Sequence, residues 1–344
     1  MIDTPIKVGR LTLANRIGVP PIVGQMANED GSVSQATLDH YAKLSTSGAS
    51  CVTVEASYIH KTGQILPNEL SIEDDSKIEG LSMLAKTIKS QGVPAFIQLV
   101  HAGRMGCNPG LIAPSPVPYE TRTTPKEMTE SDIETLKDWY RLAISRAVVA
   151  GFDGVEIHCA HGYILSQFLS PISNRRTDSW GGTLDNRSKL LIDVVKMARV
   201  IAKDKVLSVR FGASDCYAGG LKLTNAVEVA KRLEQEGVDL ISVSIGITPS
   251  SFGGSRTKVI MGFVPLSVAI KRVVKMPVAV AGKITKPEHA RSIIESGKAD
   301  IVLVCRSLLA DPHWPAKVLV KDTAPITPCK SCKACVHFSS GCPK

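Results

Sequence analysis

Eight short apolar runs rich in β-branched residues recur along the chain, and amphipathic segments separate them. The runs are 16–23 (RIGVPPIV), 49–56 (ASCVTVEA), 93–100 (VPAFIQLV), 154–160 (GVEIHCA), 207–213 (LSVRFGA), 240–246 (LISVSIG), 278–283 (VAVAGK) and 301–306 (IVLVCR). A strand with water on one face alternates apolar and polar residues, so runs this uniformly apolar predict parallel strands covered on both faces. Segments 131–150 (SDIETLKDWYRLAISRAVVA) and 224–236 (TNAVEVAKRLEQE) have helical periodicity, with Thr224 expected as the N-cap of the second. Eight strand–helix units predict an α/β fold, a closed (β/α)₈ TIM barrel. An open doubly wound sheet would more often carry G-x-G-x-x-G after its first strand, and that pattern is absent. The stretch 5–13 (PIKVGRLTL), turning at Gly9-Arg10, predicts an N-terminal hairpin that plugs the barrel's lower mouth.

The 344 residues suit one barrel of about 250 residues plus decorations. We divide them into a barrel over 1–320 and a cysteine-rich C-terminal tail over 321–344. No apolar run reaches the roughly 18 residues a membrane span needs, and the N-terminus lacks the pattern of a secretory signal. A soluble cytoplasmic protein is the expectation. The net charge is +9, but Lys and Arg are interspersed with acids and only 5% of residues are aromatic. That distribution argues against a nucleic-acid surface and suits a small anionic substrate or cofactor, such as a phosphate or a CoA thioester. The sequence leaves a homo-oligomer open.

Nine cysteines divide unevenly. Cys51, Cys107, Cys159, Cys216 and Cys305 are isolated, whereas Cys329, Cys332, Cys335 and Cys342 crowd the last sixteen residues. In a cytoplasmic protein this crowding points to metal rather than disulfides. The C-x₂-C-x₂-C spacing with a fourth thiolate suits an iron–sulfur cluster or a four-thiolate zinc site. His337 lies inside the motif, but four cysteines suffice without it.

Long loops follow predicted strands three and four, at 101–130 and 161–186, where a barrel builds its active site. Segment 154–182 reads GVEIHCAHGYILSQFLSPISNRRTDSWGG and brings His158, His161 and Tyr163 to a strand exit. Two imidazoles there can donate hydrogen bonds to an oxygen that gains negative charge, and a phenol beside them can supply a proton.

H-x-x-H-x-Y over 158–163, then QFLSP (167–171), NRRTD (174–178) and Gly181-Gly182, make the chain resemble the old yellow enzyme family of FMN-dependent NAD(P)H oxidoreductases. The resemblance runs from about residue 5 to residue 318. It implies that His158 and His161 hold the substrate's oxygen and that Tyr163 donates the proton. The NRRTD run is read as structural, pinning its loop. By the same resemblance, Gln98 and Arg210 meet the pyrimidine edge of FMN, with Pro21, Ile22, Val23 and Ala56 in flavin-contacting loops. Gly282, Lys283, Cys305 and Arg306 follow strands seven and eight, where barrels favour phosphate. Two positions depart from the family pattern. Cys305 replaces a common Gly, and Val23 replaces a Thr or Cys, so noncovalent FMN of lowered potential is expected.

The tail resembles the family's iron–sulfur branch of 2,4-dienoyl-CoA reductase, enoate reductase and trimethylamine dehydrogenase, with a compressed spacing before Cys342. The tail's position after the eighth helix favours a [4Fe–4S] cluster over zinc. The chain ends at Lys344, ahead of the further modules of those relatives, so electrons are expected from NAD(P)H directly or from an electron-donor protein or subunit. Reduction of an activated C=C bond is the leading expectation. Amine or C–C oxidation is the alternative, although only 16 aromatic residues are available to cage an amine. A dihydrouridine-synthase-like RNA modifier would need an RNA-binding domain for which no residues remain. A purely electron-transferring subunit would not need His158, His161 and Tyr163.

Overall fold

Each of the eight apolar runs contributes one strand to a single parallel sheet. The computed structural model describes residues 1–120, 123–247, 263–320, 325–330, 332 and 342. After a hairpin of β1 (Ile6–Val8) and β2 (Leu11–Leu13), the barrel strands β3 (Ile17–Gly18), β4 (Val52–Tyr58) and β5 (Ala95–Val100) follow. Two short strands, β6 (Ile112–Ala113) and β7 (Lys126–Glu127), lie in the loop before β8 (Gly154–Cys159). The barrel continues through β9 (Val206–Gly212), β10 (Leu240–Ser244), β11 (Val278–Ala281) and β12 (Ile301–Leu303). The spatial order is β3-β12-β11-β10-β9-β8-β5-β4. A parallel bridge between Val19 and Val52 joins the two ends, with Val19 N–H donating to Cys51 O at 2.9 Å. The sheet is thereby a barrel, as the sequence predicts.

Helices cover the outer faces. The longest, α1 (Glu130–Val149), buries Ile133, Leu136, Tyr140, Ala143, Ile144 and Ala147, a stripe at helical spacing. Thr129 caps it through a reciprocal pair of hydrogen bonds with Asp132, which satisfies two otherwise orphaned donors. The helix expected from Thr224 instead spans Leu223–Gln235 (α2), with Lys222 as an N-cap that makes no side-chain bond. Asp215 takes the amide of Leu221 at 2.6 Å and fixes the approach, so the helix begins one residue early and Thr224 lies inside its first turn.

The hairpin plugs the barrel. Val8 and Leu13 are fully buried against Cys51, Phe96, Val206, Leu240 and Ile301, residues at or near the start of the strands. Its register pairs Val8 with Leu11, which leaves Gly9-Arg10 as the turn. Gly9 has φ +55°, and a Cβ there would stand 2.9 Å from the Asp239 carboxylate, so glycine is required twice over.

At the opposite mouth, the long loops are pinned as the NRRTD reading expects. Asn174 donates to Phe168 O and Trp180 O at 2.7 and 2.8 Å, while Arg176 donates to Met128 O at 2.6 Å and pairs with Asp178. Among the described residues, no helix is long and apolar enough to cross a membrane.

Candidate active site

Strand register, rather than proximity in sequence, assembles the site. Ala56 of β4 pairs with Gln98 of β5, which pairs with Glu156 of β8. His158 pairs with Arg210 of β9, and Arg210 with Ser242 of β10. Successive strand residues face opposite sides, so Glu156 and His158 share one face of β8. Gln98, Glu156, His158, Arg210 and Ser242 are all buried.

Pro21, Val23, Ala56, Ile65, Gln98, His158, His161, Tyr163 and Arg210 line one cleft. Eight of these nine were expected at the site from the sequence. Ala56 was placed after its strand, yet it lies within β4. The pairing slips between Val54 and Ala56, so Glu55 is the extra residue of a β-bulge. Glu55 accepts the Gly24 N–H at 2.7 Å and so anchors the loop carrying Val23. Nearby Glu69 accepts the Ile65 N–H at 2.5 Å and holds the other wall.

Burial pushes the Glu55 carboxyl up to about 8, and the sign of the consequence is definite. An unfolded glutamate loses its proton near about pH 4.3, whereas folded Glu55 keeps its proton until pH nears 8. Stability is therefore full below the lower value and falls as pH rises to the upper one. Glu55→Gln retains an acceptor for Gly24 and removes this slope. It should leave the melting temperature near wild type at pH 4 and raise it by several degrees at pH 8.5 in scanning calorimetry.

The two histidines form a directed chain. Ala160 N–H donates to His158 Nδ1 at 3.2 Å, so the His158 proton sits on Nε2. From there it points at His161 Nδ1, 3.2 Å away, which leaves the His161 Nε2 proton for Ser244 Oγ at 2.6 Å. Burial, with help from Arg210, pushes both imidazoles down, His161 to about 3, so both are neutral near pH 7. The Tyr163 ring stands edge-on to His158, with centroids 4.9 Å apart. His161 adopts φ +58°, in the left-handed region that few residues other than glycine occupy.

Arg210 Nη1 donates to Ser242 Oγ at 3.1 Å, while Nε is buried without a partner in the described structure. A buried cation with a spare donor on a cleft suits an electron-rich ring edge. Val23 offers that ring no hydrogen bond, as the sequence indicates. Gly282 and Lys283 line a neighbouring cavity with Ile284, His289, Ser292 and Lys298, not the cleft itself. Cys305 follows β12 and interacts electrostatically with Arg210. Its φ of −113° is one a side chain adopts freely, so a residue larger than glycine imposes no backbone strain there. Ile22 and Arg306 are partly exposed and do not line the cleft.

Cys335 and His337 lie outside the described residues; Cys329, Cys332 and Cys342 lie within them. Among the described residues, no three His, Cys, Asp or Glu side chains come together as a metal-holding group.

A plugged parallel barrel with Gln98, Arg210, paired histidines and a tyrosine at its C-terminal rim defines the class of flavin-dependent oxidoreductases. The chain belongs to the NADH:flavin oxidoreductase / NADH oxidase family, whose model matches residues 2–322. It is an FMN-type NAD(P)H oxidoreductase of the old yellow enzyme kind. It is 39% identical to "NADPH dehydrogenase" of Geobacillus thermodenitrificans over 95% of this chain and 97% of that one. It is 38% identical to "NADH oxidase" of Thermoanaerobacter brockii over 95% of this chain, but spans only 52% of that relative. A 2-naphthoyl-CoA reductase structure superposes with TM-score 0.91 at 27% identity, covering 96% of this chain and 54% of its own. The old yellow enzyme homologue of Zymomonas mobilis gives TM-score 0.82 at 25% identity, covering 95% and 94%.

Sequence reasoning left out Glu55, Glu156, Ile65, Ser242 and Ser244. Ser242 and Ser244 had a readable signal, being polar residues at alternate positions of LISVSIG. Alternation from His158 likewise puts Glu156 on the inner face.

Proposed function

We propose that the enzyme reduces an activated C=C bond, in an enone, enoate or enoyl thioester, at the cleft between Arg210 and the histidine pair. The observation that carries this reading is the meeting of Arg210, Gln98, His158, His161 and Tyr163 on one cavity. Gln98 and Arg210 would hold the pyrimidine edge of FMN, Pro21, Ile22, Val23 and Ala56 its surroundings, and Gly282, Lys283, Cys305 and Arg306 its phosphate. When bound and reduced by NADH or NADPH, FMN supplies the hydride that reaches the β-carbon.

The chain's own residues do the rest. His158 and His161 hold N–H groups whose present acceptors are His161 Nδ1 and Ser244 Oγ, and a substrate carbonyl oxygen would exchange with these. Two neutral donors turned to that oxygen would stabilise the charge growing on it. Tyr163 holds the proton for the α-carbon. The apolar neighbours Val23, Ile65, Met105 and Ala102 exclude water beside Tyr163. That the similar 2-naphthoyl-CoA reductase takes a CoA thioester, together with the +9 charge, supports an anionic substrate.

The thiolates Cys329, Cys332, Cys335 and Cys342 have the chemistry and spacing to hold a [4Fe–4S] cluster, which would supply a one-electron route to a protein partner.

Anaerobic purification, a visible spectrum, iron analysis and half-reactions test these readings. We expect bound flavin, four irons per chain, bleaching by NADH or NADPH, and reoxidation by an enone or an enoyl-CoA. Bleaching by trimethylamine with no reoxidation by alkenes would replace the ene-reductase reading with amine oxidation. Zinc in place of iron would remove the cluster and leave the cleft chemistry standing.

A further inference from the structure

Glu156 takes no part in the chemistry above, yet it is a carboxylate 3% exposed in the barrel's interior. It lies one inward position below His158 on β8. Gln98 Nε2 donates to its Oε1 at 2.7 Å, and Ser208 Oγ donates to its Oε2 at 3.1 Å. Both partners come from the neighbouring strands, β5 and β9. Arg210, two residues beyond Ser208, interacts with it electrostatically, although no direct ion pair forms. One buried acid therefore touches or faces both groups expected at the flavin's pyrimidine edge.

We propose that Glu156 is the positioning residue for that edge, fixing which end of the Gln98 amide faces the cleft and setting the net charge that Arg210 presents there. This rests on the flavin reading of the cleft. Both Glu156 oxygens accept hydrogen bonds, and Gln98 turns Nε2 toward one of them. Gln98 Oε1 and the second Nε2 proton are then left for a ligand, and the amide cannot flip without stranding a buried acceptor. Burial pushes the Glu156 carboxyl up, and the Arg210 cation opposes that shift, as do the hydrogen bonds from Ser208 and Gln98. The other titratable neighbours carry no compensating charge: burial holds the Cys51 thiol at about 12 and keeps the His158 imidazole neutral. The charge balance that would meet that edge is thus set between Glu156 and Arg210.

Two substitutions separate orientation from charge. Glu156→Gln keeps an oxygen for Gln98 and removes the negative charge. Glu156→Leu removes both. FMN affinity is measured by titrating flavin-stripped full-length protein, and the two-electron potential by dye equilibration. Glu156→Gln should bind FMN within about threefold of wild type and raise its potential, because Arg210 then meets the reduced ring uncompensated. If reduced FMN gains tenfold over oxidised FMN, the rise is about 30 mV. Glu156→Leu should weaken FMN binding tenfold or more as well.

Wild-type potential in Glu156→Gln together with wild-type affinity in Glu156→Leu would overturn the proposal and leave the flavin reading intact. Wild-type protein that binds no FMN overturns both. Should Glu156→Leu fail to fold by circular dichroism, Glu156→Gln decides through the potential alone.

Discussion

Arg210→Ala is expected to retain FMN while losing about three orders of magnitude in the rate of flavin reduction by NAD(P)H, the scale of one well-placed charged donor. Arg210 is 7% exposed, held by Ser242, and carries a buried Nε without a partner in the described structure. A cation in that position does most when negative charge appears beside it, so its removal should act on reduction more than on binding. One confounding effect has a remedy in the same cavity. Removing Arg210 takes away the cation that opposes the burial of Glu156, so the single variant is expected to lose stability as well. The double variant Arg210→Ala/Glu156→Gln removes both charges. It should recover thermal stability while flavin reduction stays slow. Arg210→Lys restores charge without the planar fork and should give intermediate reduction. Stopped-flow bleaching of the visible flavin band reads the rate. If the double variant restores both stability and rate, Arg210 has only a structural role.

Much of this architecture is legible in the sequence because barrel strands covered on both faces leave an unmistakable pattern. Runs such as VPAFIQLV and LSVRFGA contain almost nothing but apolar residues, and the exceptions, Gln98, Ser208 and Arg210, stand out as polar groups that a core tolerates only with partners. The hairpin was legible for a different reason: PIKVGRLTL pairs apolar ends around a turn that needs glycine. Periodicity could not show the bulge at Glu55, because the slip depends on pairing with β5 and leaves the apolar run unbroken. For the same reason Ala56 was misplaced relative to its strand. Thr224 was misjudged because the helix start is set by Asp215 gripping Leu221, a contact between loops that no local cap signal reports. Ser244 was overlooked because its role exists only once β10 stands beside the loop that carries His161. Local chemistry is readable in one dimension, whereas the partner that orients it arrives through the fold.

His158→Ala and Tyr163→Phe should divide the oxidative half-reaction between binding and proton transfer. Losing one donor of the pair should slow enone-driven reoxidation by about 10²–10³-fold, with FMN still bound and its reoxidation by oxygen unchanged. Loss of FMN instead would assign His158 to flavin binding. Tyr163→Phe removes the proton source, a step worth about 10²–10⁴-fold, and should lower kcat with little change in KM. A matched rise in KM would make Tyr163 a substrate contact only. The pH profile supplies an independent check. A solvated histidine titrates near about 6.5, but folding holds His161 near 3 and His158 well below its usual value. Both imidazoles therefore remain neutral across pH 5.5–8, and the reoxidation rate should show no histidine limb there. Stability follows the opposite course to that of Glu55. It is full above the unfolded histidine pKa and drains as pH falls toward 3, because the unfolded chain takes up protons that the buried pair refuses. A break in reoxidation near pH 6.5 that disappears in His161→Gln would mean the working form is imidazolium, and the neutral-donor account of this cleft would fail.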